Sequence, residues 1–325
     1  MKVIITGGGG FLGSQLATKI LDKGTLTGPS GEQEPIENMV LIDARFSVPQ
    51  SDDRVQEITG DISDRDVIDS TIDGSTNVSI FHLASMVSGE CEERYDDALR
   101  VNLDGGRNVF EAARAAAGRP RVVFASSIAS FGGAAMPTPV SDLAKQTPQT
   151  TYGMTKAMCE LLINDYSRRG EIDGLVLRLP TIVIRPGRPN AAASSFASSI
   201  LREPLNGEEA ICPVPTTLEM FVMSPGKVVD ALEHGAQVPR EALAPFRAFM
   251  LPGITVSVAA MLEALRTAAG EQALALVKHA PDPRIEAIVA SWPARFETAK
   301  ASQLGFVGDD DFTQIIDSFM AEQHP

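Results

Sequence analysis

Cysteine, tryptophan, tyrosine and histidine are all scarce in this 325-residue chain, with three Cys, one Trp, three Tyr and four His. Cys91, Cys159 and Cys212 are odd in number and far apart. That excludes a disulfide framework and a paired-cysteine metal motif, and it suits a reducing compartment. Basic residues are also short, 28 Lys and Arg against 42 Asp and Glu, for a net charge of −14. Such a field repels phosphate, so a general affinity for nucleic acid or anionic membrane is excluded, and any anionic substrate must be held by locally placed cations. No apolar run approaches the length of a membrane span, and Met1-Lys2 leads straight into Val3-Ile4-Ile5 without a signal peptide. A soluble, cytoplasmic protein without a bound metal is expected.

Hydrophobic residues make up 44% of the chain, enough for a packed core. Short runs rich in Val, Ile, Leu and Phe fall at residues 2–6, 39–43, 55–58, 78–83, 121–125 and 174–179. Between most of them lie amphipathic stretches at 12–23, 64–72, 97–117 and 152–168. Continuous apolar strands separated by helices predict an α/β fold, a doubly wound parallel sheet covered on both faces and built with right-handed crossovers. Prolines crowd residues 180–215, which suits a substrate-facing cap of loops and short elements. A further strand is expected at 217–223, then a helix from Pro225 to about residue 234, and helices at 257–268, 284–290 and 311–320. Residues 24–38 read as a polar surface loop.

The first strand runs into Thr6-Gly7-Gly8-Gly9-Gly10-Phe11-Leu12-Gly13. Glycines at 7, 10 and 13 permit a tight turn, close approach of a pyrophosphate, and close helix–sheet packing. The helix that follows offers free N–H groups and a partial positive charge. The context of strand, turn and helix marks a dinucleotide site of the Rossmann type. Asp43 ends the second strand, where a carboxylate can accept from ribose hydroxyls and repel a 2′-phosphate; this favours NAD over NADP, with Arg45 the one feature that would suit the latter. After the third strand, Asp61-Ile62 pairs a carboxylate with an apolar residue in a position to bind and flank an adenine.

Tyr152-Gly153-Met154-Thr155-Lys156 opens a predicted helix, so phenol and ammonium share one face. An ordinary phenol titrates near pH ~10, and base chemistry at neutrality needs a depression of roughly three units. A neighbouring ammonium and a cationic cofactor ring both favour phenolate. Upstream, Ser126-Ser127 stands at the carboxyl end of the fifth strand, where such folds bind ligands; a serine pair there either meets a ligand or satisfies the loop backbone.

Together these pieces resemble the extended short-chain dehydrogenase/reductases, the NAD-dependent epimerase/dehydratase group. The matching segments also include His82-Leu83-Ala84-Ser85, Val101-Asn102-Leu103-Asp104-Gly105 and Arg178-Leu179-Pro180, in family order to about residue 180. The resemblance implies that Ser127 orients a substrate hydroxyl, Tyr152 removes its proton, and Lys156 binds the nicotinamide ribose and lowers the phenol's pKa. It further implies cofactor contacts from Gly7, Gly10, Phe11, Leu12, Gly13, Leu83, Ala84, Asn102 and Pro180, while His82 is a packed strand residue. The helices at 97–117 and 152–168 resemble those that pair two subunits into a homodimer. The expected division is an NAD-binding Rossmann domain of 1–179 plus about 216–236, and a smaller, discontinuous C-terminal substrate-binding subdomain of 180–215 plus 237–325.

Nucleotide-sugar epimerases usually carry an Asn soon after the sixth strand; here the chain reads Pro180-Thr181-Ile182-Val183-Ile184-Arg185-Pro186-Gly187-Arg188-Pro189-Asn190. A stiff loop holding arginine suits fork-like recognition of a carboxylate, with Arg185 the first candidate and Arg188 the second. The alternative is a pair of solvated surface arginines. This loop, with the residues that follow it, resembles the branch of the family that oxidises the C2 hydroxyl of a four-carbon sugar acid, and it implies NAD-linked oxidation of D-erythronate to the 2-keto acid. Ser88 and Asn190 lie in loops at the same sheet edge and are candidates for the remaining hydroxyls. A sugar epimerase or dehydratase on this scaffold, and a non-catalytic NAD sensor, are the competing readings.

Overall fold

The structure, a computed structural model, describes residues 1–72 and 76–323. Seven parallel strands form the central sheet. They are β1 (Lys2–Thr6), β2 (Asn38–Asp43), β3 (Val55–Thr59), β4 (Val78–His82), β5 (Arg121–Ser127), β6 (Asp173–Leu179) and β7 (Ala248–Met250). Their spatial order is β7-β6-β5-β4-β1-β2-β3, so the chain reverses direction across the sheet beside β1. Successive residues face opposite layers: Val3 and Ile5 enter one core while Ile4 enters the other, each at most 1% exposed. This is why the strands read as unbroken apolar runs.

Helices α1 (Phe11–Lys23) and α5 (Pro225–Gln237) cover one face through Leu16, Ile20, Val228 and Leu232. Helices α2 (Arg65–Ile72), α3 (Gly106–Ala115) and α4 (Thr151–Arg168) cover the other through Ile68, Phe110 and Ile163. Local signals set their ends. Gly24 takes a left-handed φ of 71° after α1, and the Thr150 and Ser224 hydroxyls accept from the first-turn N–H groups of α4 and α5. Pro225 occupies the first turn of α5, where its missing N–H costs nothing.

Several expectations change. The stretch 97–117 is not one helix: Tyr95–Ala98 leads into a π-helical segment, Leu99–Gly105, before α3. The wider turn places the Asn102 amide against the Met86 backbone, and Gly105 lets it close on Ile62, whose Cγ1 would stand 2.7 Å from an added Cβ. Residues 24–38 are not simply a loop, because Thr25–Thr27 and Gln33–Pro35 pair as a short antiparallel hairpin pinned by buried Leu26. The cap contains an 11-residue helix, Ser195–Leu205, whose Phe196, Ala197, Ile200 and Leu201 share a buried face; Pro204 reads as a breaker in sequence but falls in the last turn. Finally, Glu219–Met223 pairs with Thr181–Ile182 and Ile254–Ser257 in a separate three-stranded sheet, while Ala248–Met250 takes the edge place on β6. The small sheets and a second core around Ile200, Val222 and Ile316 form the C-terminal part. Among the described residues, no helix is long and apolar enough to cross a membrane.

Candidate active site

All the candidate residues that matter follow carboxyl ends of sheet strands, where this topology opens a crevice. After β1, Gly7 adopts φ +77° and its N–H donates to the Ile42 carbonyl at 2.8 Å. A Cβ on Gly7 would stand 2.8 Å from the Ala84 nitrogen, and one on Gly13 would stand 2.1 Å from the Gly7 carbonyl. No side chain caps α1 at Gly10, and no acid lies in its first turn. The helix N-terminus is therefore left open toward the crevice, and it fits a pyrophosphate whose approach depends on missing Cβ atoms. Asp43 accepts from the Gly9 N–H at 3.0 Å, which fixes its carboxylate at the lip of the turn, where a ribose diol would be met. Leu12 and Leu83 line the inner end, and Ala84 abuts Gly7. Asp61 is held by Arg100 and by the Ser63 N–H, and Ile62 is buried beneath Gly105.

Tyr152, Lys156 and Ser127 converge on one cleft with Leu179, Pro180 and Arg185. Helix α4 sets the first two one turn apart. The Lys156 ammonium is 4% exposed, donates to the Ala125 carbonyl at 2.8 Å, and lies 5.4 Å from the Tyr152 ring centre. Burial pushes it down to about 8. The phenol moves the opposite way from the sequence expectation. Burial, seconded by nearby Cys91, raises Tyr152 to about 12, against the smaller pull of Ser127 and Arg185 toward phenolate. Phenol and ammonium lose water in the same cleft, so each favours its neutral form, and Lys156 aims its charge at a carbonyl. The Ser127 Oγ accepts from the Ala129 N–H at 3.1 Å, which leaves its own proton free to donate.

Behind Ser127 lies a buried network. Glu160, 1% exposed, accepts from the Ser126 hydroxyl, from Gln146 at 2.8 Å and from Arg178 at 2.8 Å. Arg178 in turn sits 4.7 Å from the Phe131 ring centre and donates to the Asp142 carbonyl. This rigid support fixes the end of β5. His82 is fully enclosed, bonds the Thr6 hydroxyl at 2.7 Å, stacks on Phe124, and is pushed down to about 3 by burial. It is a packed residue.

At the cap, Arg185 is drawn into the cleft, where burial pushes its guanidinium down to about 10. Its side chain donates to Ser194 Oγ at 3.3 Å, and no carboxylate pairs with it among the described residues. Arg188 and Asn190 do not reach the cleft. Gly187 turns the chain outward at φ +79°, leaving both exposed, and the Asn190 side-chain Oδ1 accepts from the Ala192 N–H at 3.0 Å. Ser88 does line the cleft, with its Oγ accepting from the Ala193 N–H at 3.1 Å. Asn102 is buried and is not among the residues lining the cleft. Its amide accepts from the Met86 N–H at 2.7 Å and donates to the Met86 carbonyl at 3.2 Å, which fixes the wall segment 85–88. Sequence reasoning missed Ser85, Thr181, Ser194 and Trp292, which also line the cleft. The serine-containing run after Asn190 signalled Ser194; the chain's single tryptophan was the one pointer to Trp292.

Comparison with known proteins agrees with this geometry. The family model described as "NAD dependent epimerase/dehydratase family" matches residues 3–221. The chain is 45% identical over 322 residues to the D-erythronate dehydrogenase of Cupriavidus necator, covering 99% of this chain and 98% of that one. It is 43% identical over 321 residues to the D-erythronate dehydrogenase of Haemophilus influenzae, covering 98% and 99%. A crystal structure described as a nucleoside-diphosphate-sugar epimerase from Agrobacterium tumefaciens superposes with a TM-score of 0.89 at 41% identity, covering 99% and 94%. With its glycine turn, its Tyr152–Lys156 pair and near-full-length relatives above 40% identity, the chain belongs to the NAD dependent epimerase/dehydratase family.

Proposed function

We propose that this chain is an NAD-dependent dehydrogenase that oxidises the C2 hydroxyl of D-erythronate to the 2-keto acid. The observation that carries the reading is Arg185: a half-buried guanidinium without a carboxylate partner among the described residues, in the same cleft as Tyr152 and Ser127. In a chain of net charge −14, a half-buried cation with no acidic partner among the described residues calls for an anion delivered by the substrate. When bound, NAD supplies the hydride acceptor. The residues at 7–13 would hold its pyrophosphate, Asp43 its adenosine ribose, and Leu12, Leu83 and Pro180 the inner end.

The chain's own residues do the rest. Arg185 fixes the carboxylate and so sets the C2 hydroxyl toward Tyr152. Ser127 donates to the reacting oxygen and holds it through the step. The Tyr152 oxygen takes the hydroxyl proton, and Lys156 would hold the hydroxyls of the nicotinamide ribose. The Glu160–Arg178 pair keeps Ser127 in register without touching substrate.

An epimerase needs a nucleotide-sugar pocket and returns its hydride within one turnover. The loop after β6 lacks the asparagine that such enzymes usually place there and offers Arg185 instead. Incubating the protein with NAD and a panel of stereoisomeric three- to six-carbon sugar acids should give accumulating NADH, fastest with D-erythronate. A panel without NADH, together with turnover of a nucleotide sugar, overturns the reading.

The proposed assembly is a homodimer through the helical layer of residues 95–115 and α4. On α4, Met158 is 41% and Leu161 66% exposed, and Tyr95 on the neighbouring helix is 53% exposed. Pairing with a second copy would cover this apolar strip. Sedimentation should find a dimer that Leu161→Asp converts to monomer; an unchanged sedimentation coefficient in the variant rejects this face.

A further inference from the structure

Trp292 is the only tryptophan in the chain. It follows the helix Pro283–Ala290, and its backbone N–H donates to the Val289 carbonyl at 3.2 Å. The ring packs between the cap core and the cluster of Ile128, Phe131 and Val140. It also forms part of the wall of the cleft that holds Ser127, Tyr152 and Arg185. Its Nε1–H is buried and has no acceptor among the described residues.

A buried donor without an acceptor destabilises the fold, and buried indoles normally find a partner. Because Trp292 stands in the cleft wall and its N–H has no acceptor among the described residues, an oxygen carried into the cleft is the candidate partner. Arg185 is suited to the carboxylate, and Tyr152 with Ser127 to the hydroxyl that reacts. What remains of a short sugar acid is its hydroxylated tail, whose neutral oxygens suit a neutral donor.

On the sugar-acid reading given above, we propose that the Trp292 indole N–H holds a tail hydroxyl beyond C2 and so selects polyhydroxy acids over their deoxy analogues. Sites built to bond a hydroxyl discriminate against analogues lacking it, because the site's own donor is then left unpaired. Trp292 binds substrate and takes no part in the proton or hydride step. Since its N–H is covered in the protein alone, seating an oxygen on it moves the ring, and the chain's one indole reports that movement.

Two measurements test this. Trp292→Phe keeps an aromatic ring in the wall and removes the donor. With D-erythronate, kcat/KM should fall roughly tenfold or more, mostly through KM; with 2-hydroxybutyrate, which lacks the tail hydroxyls, it should not change. In the unmodified protein, which needs no folded variant, D-erythronate should shift tryptophan emission without NAD and 2-hydroxybutyrate should not. Equal losses on both acids, no loss on either, or emission unmoved by saturating D-erythronate overturns the assignment. The two readings fail separately. NAD reduced while emission stays still sinks the role of Trp292 alone, and emission shifted without any NAD reduction sinks the oxidation alone.

Discussion

Tyr152→Phe should abolish NAD reduction, lowering kcat by a factor on the order of 10³ or more, while NAD affinity measured by calorimetry stays within about twofold. The substitution removes one oxygen from a ring whose packing is unchanged, so the fold and the glycine turn are untouched. In the protein alone burial holds the phenol at about 12, so at neutral pH only on the order of one molecule in 10⁵ carries phenolate. The sign of the pH dependence follows. Ionisation is what the step needs, the pKa lies above neutrality, and kcat/KM for oxidation should therefore rise with pH, by up to about tenfold per unit below the apparent pKa. A cation brought into the cleft beside the ring favours phenolate and moves that limb toward neutrality. Lys156, held at about 8 by burial, loses its charge on the alkaline side, and its help fades there. Normal turnover in the Phe variant, or a rate flat between neutral and alkaline pH, removes Tyr152 as the base.

How much of this was legible in the sequence depended on distance along the chain. The glycine turn, Asp43 and the Tyr152–Lys156 pair are local patterns, and each lies where its own strand or helix puts it. The direction of the phenol's shift was not legible. Spacing reveals that Lys156 is near, but only the fold shows it donating to Ala125 while both groups are stripped of water. Arg185 and Arg188 look alike in one short loop, and the turn at Gly187 separates a half-buried guanidinium that lines the cleft from an exposed one. Asn102 shows the same limit: periodicity reads one long helix through 97–117, whereas its bonds to Met86 stabilise a π-helical turn there. Trp292 reaches the cleft from more than a hundred residues beyond Arg185, and strand β7 is three residues long. Neither carries a period for a sequence pattern to detect.

Arg185→Ala should cost 30- to 1,000-fold in kcat/KM for D-erythronate, about 2–4 kcal/mol, with KM carrying most of the loss. Among the described residues the guanidinium makes one side-chain hydrogen bond, to Ser194, and no ion pair, so removing it breaks little within the protein. What it breaks is the only proposed ion pair with the substrate. Arg185→Lys keeps the charge but loses the two-pronged geometry, and should recover only part of the affinity. A second readout separates anchoring from nonspecific damage. Arg185 and Tyr152 act on each other electrostatically, the guanidinium favouring phenolate and the phenolate favouring the charged guanidinium. The Ala variant should therefore shift the alkaline limb of the rate profile to higher pH, a change that general loosening of the cap does not produce. NAD affinity should hold, since the glycine turn follows β1 and its backbone geometry does not depend on the Arg185 side chain. If KM and the pH profile both stay at their original values, the carboxylate is anchored elsewhere, and the assignment of a sugar acid to this cleft loses its main support.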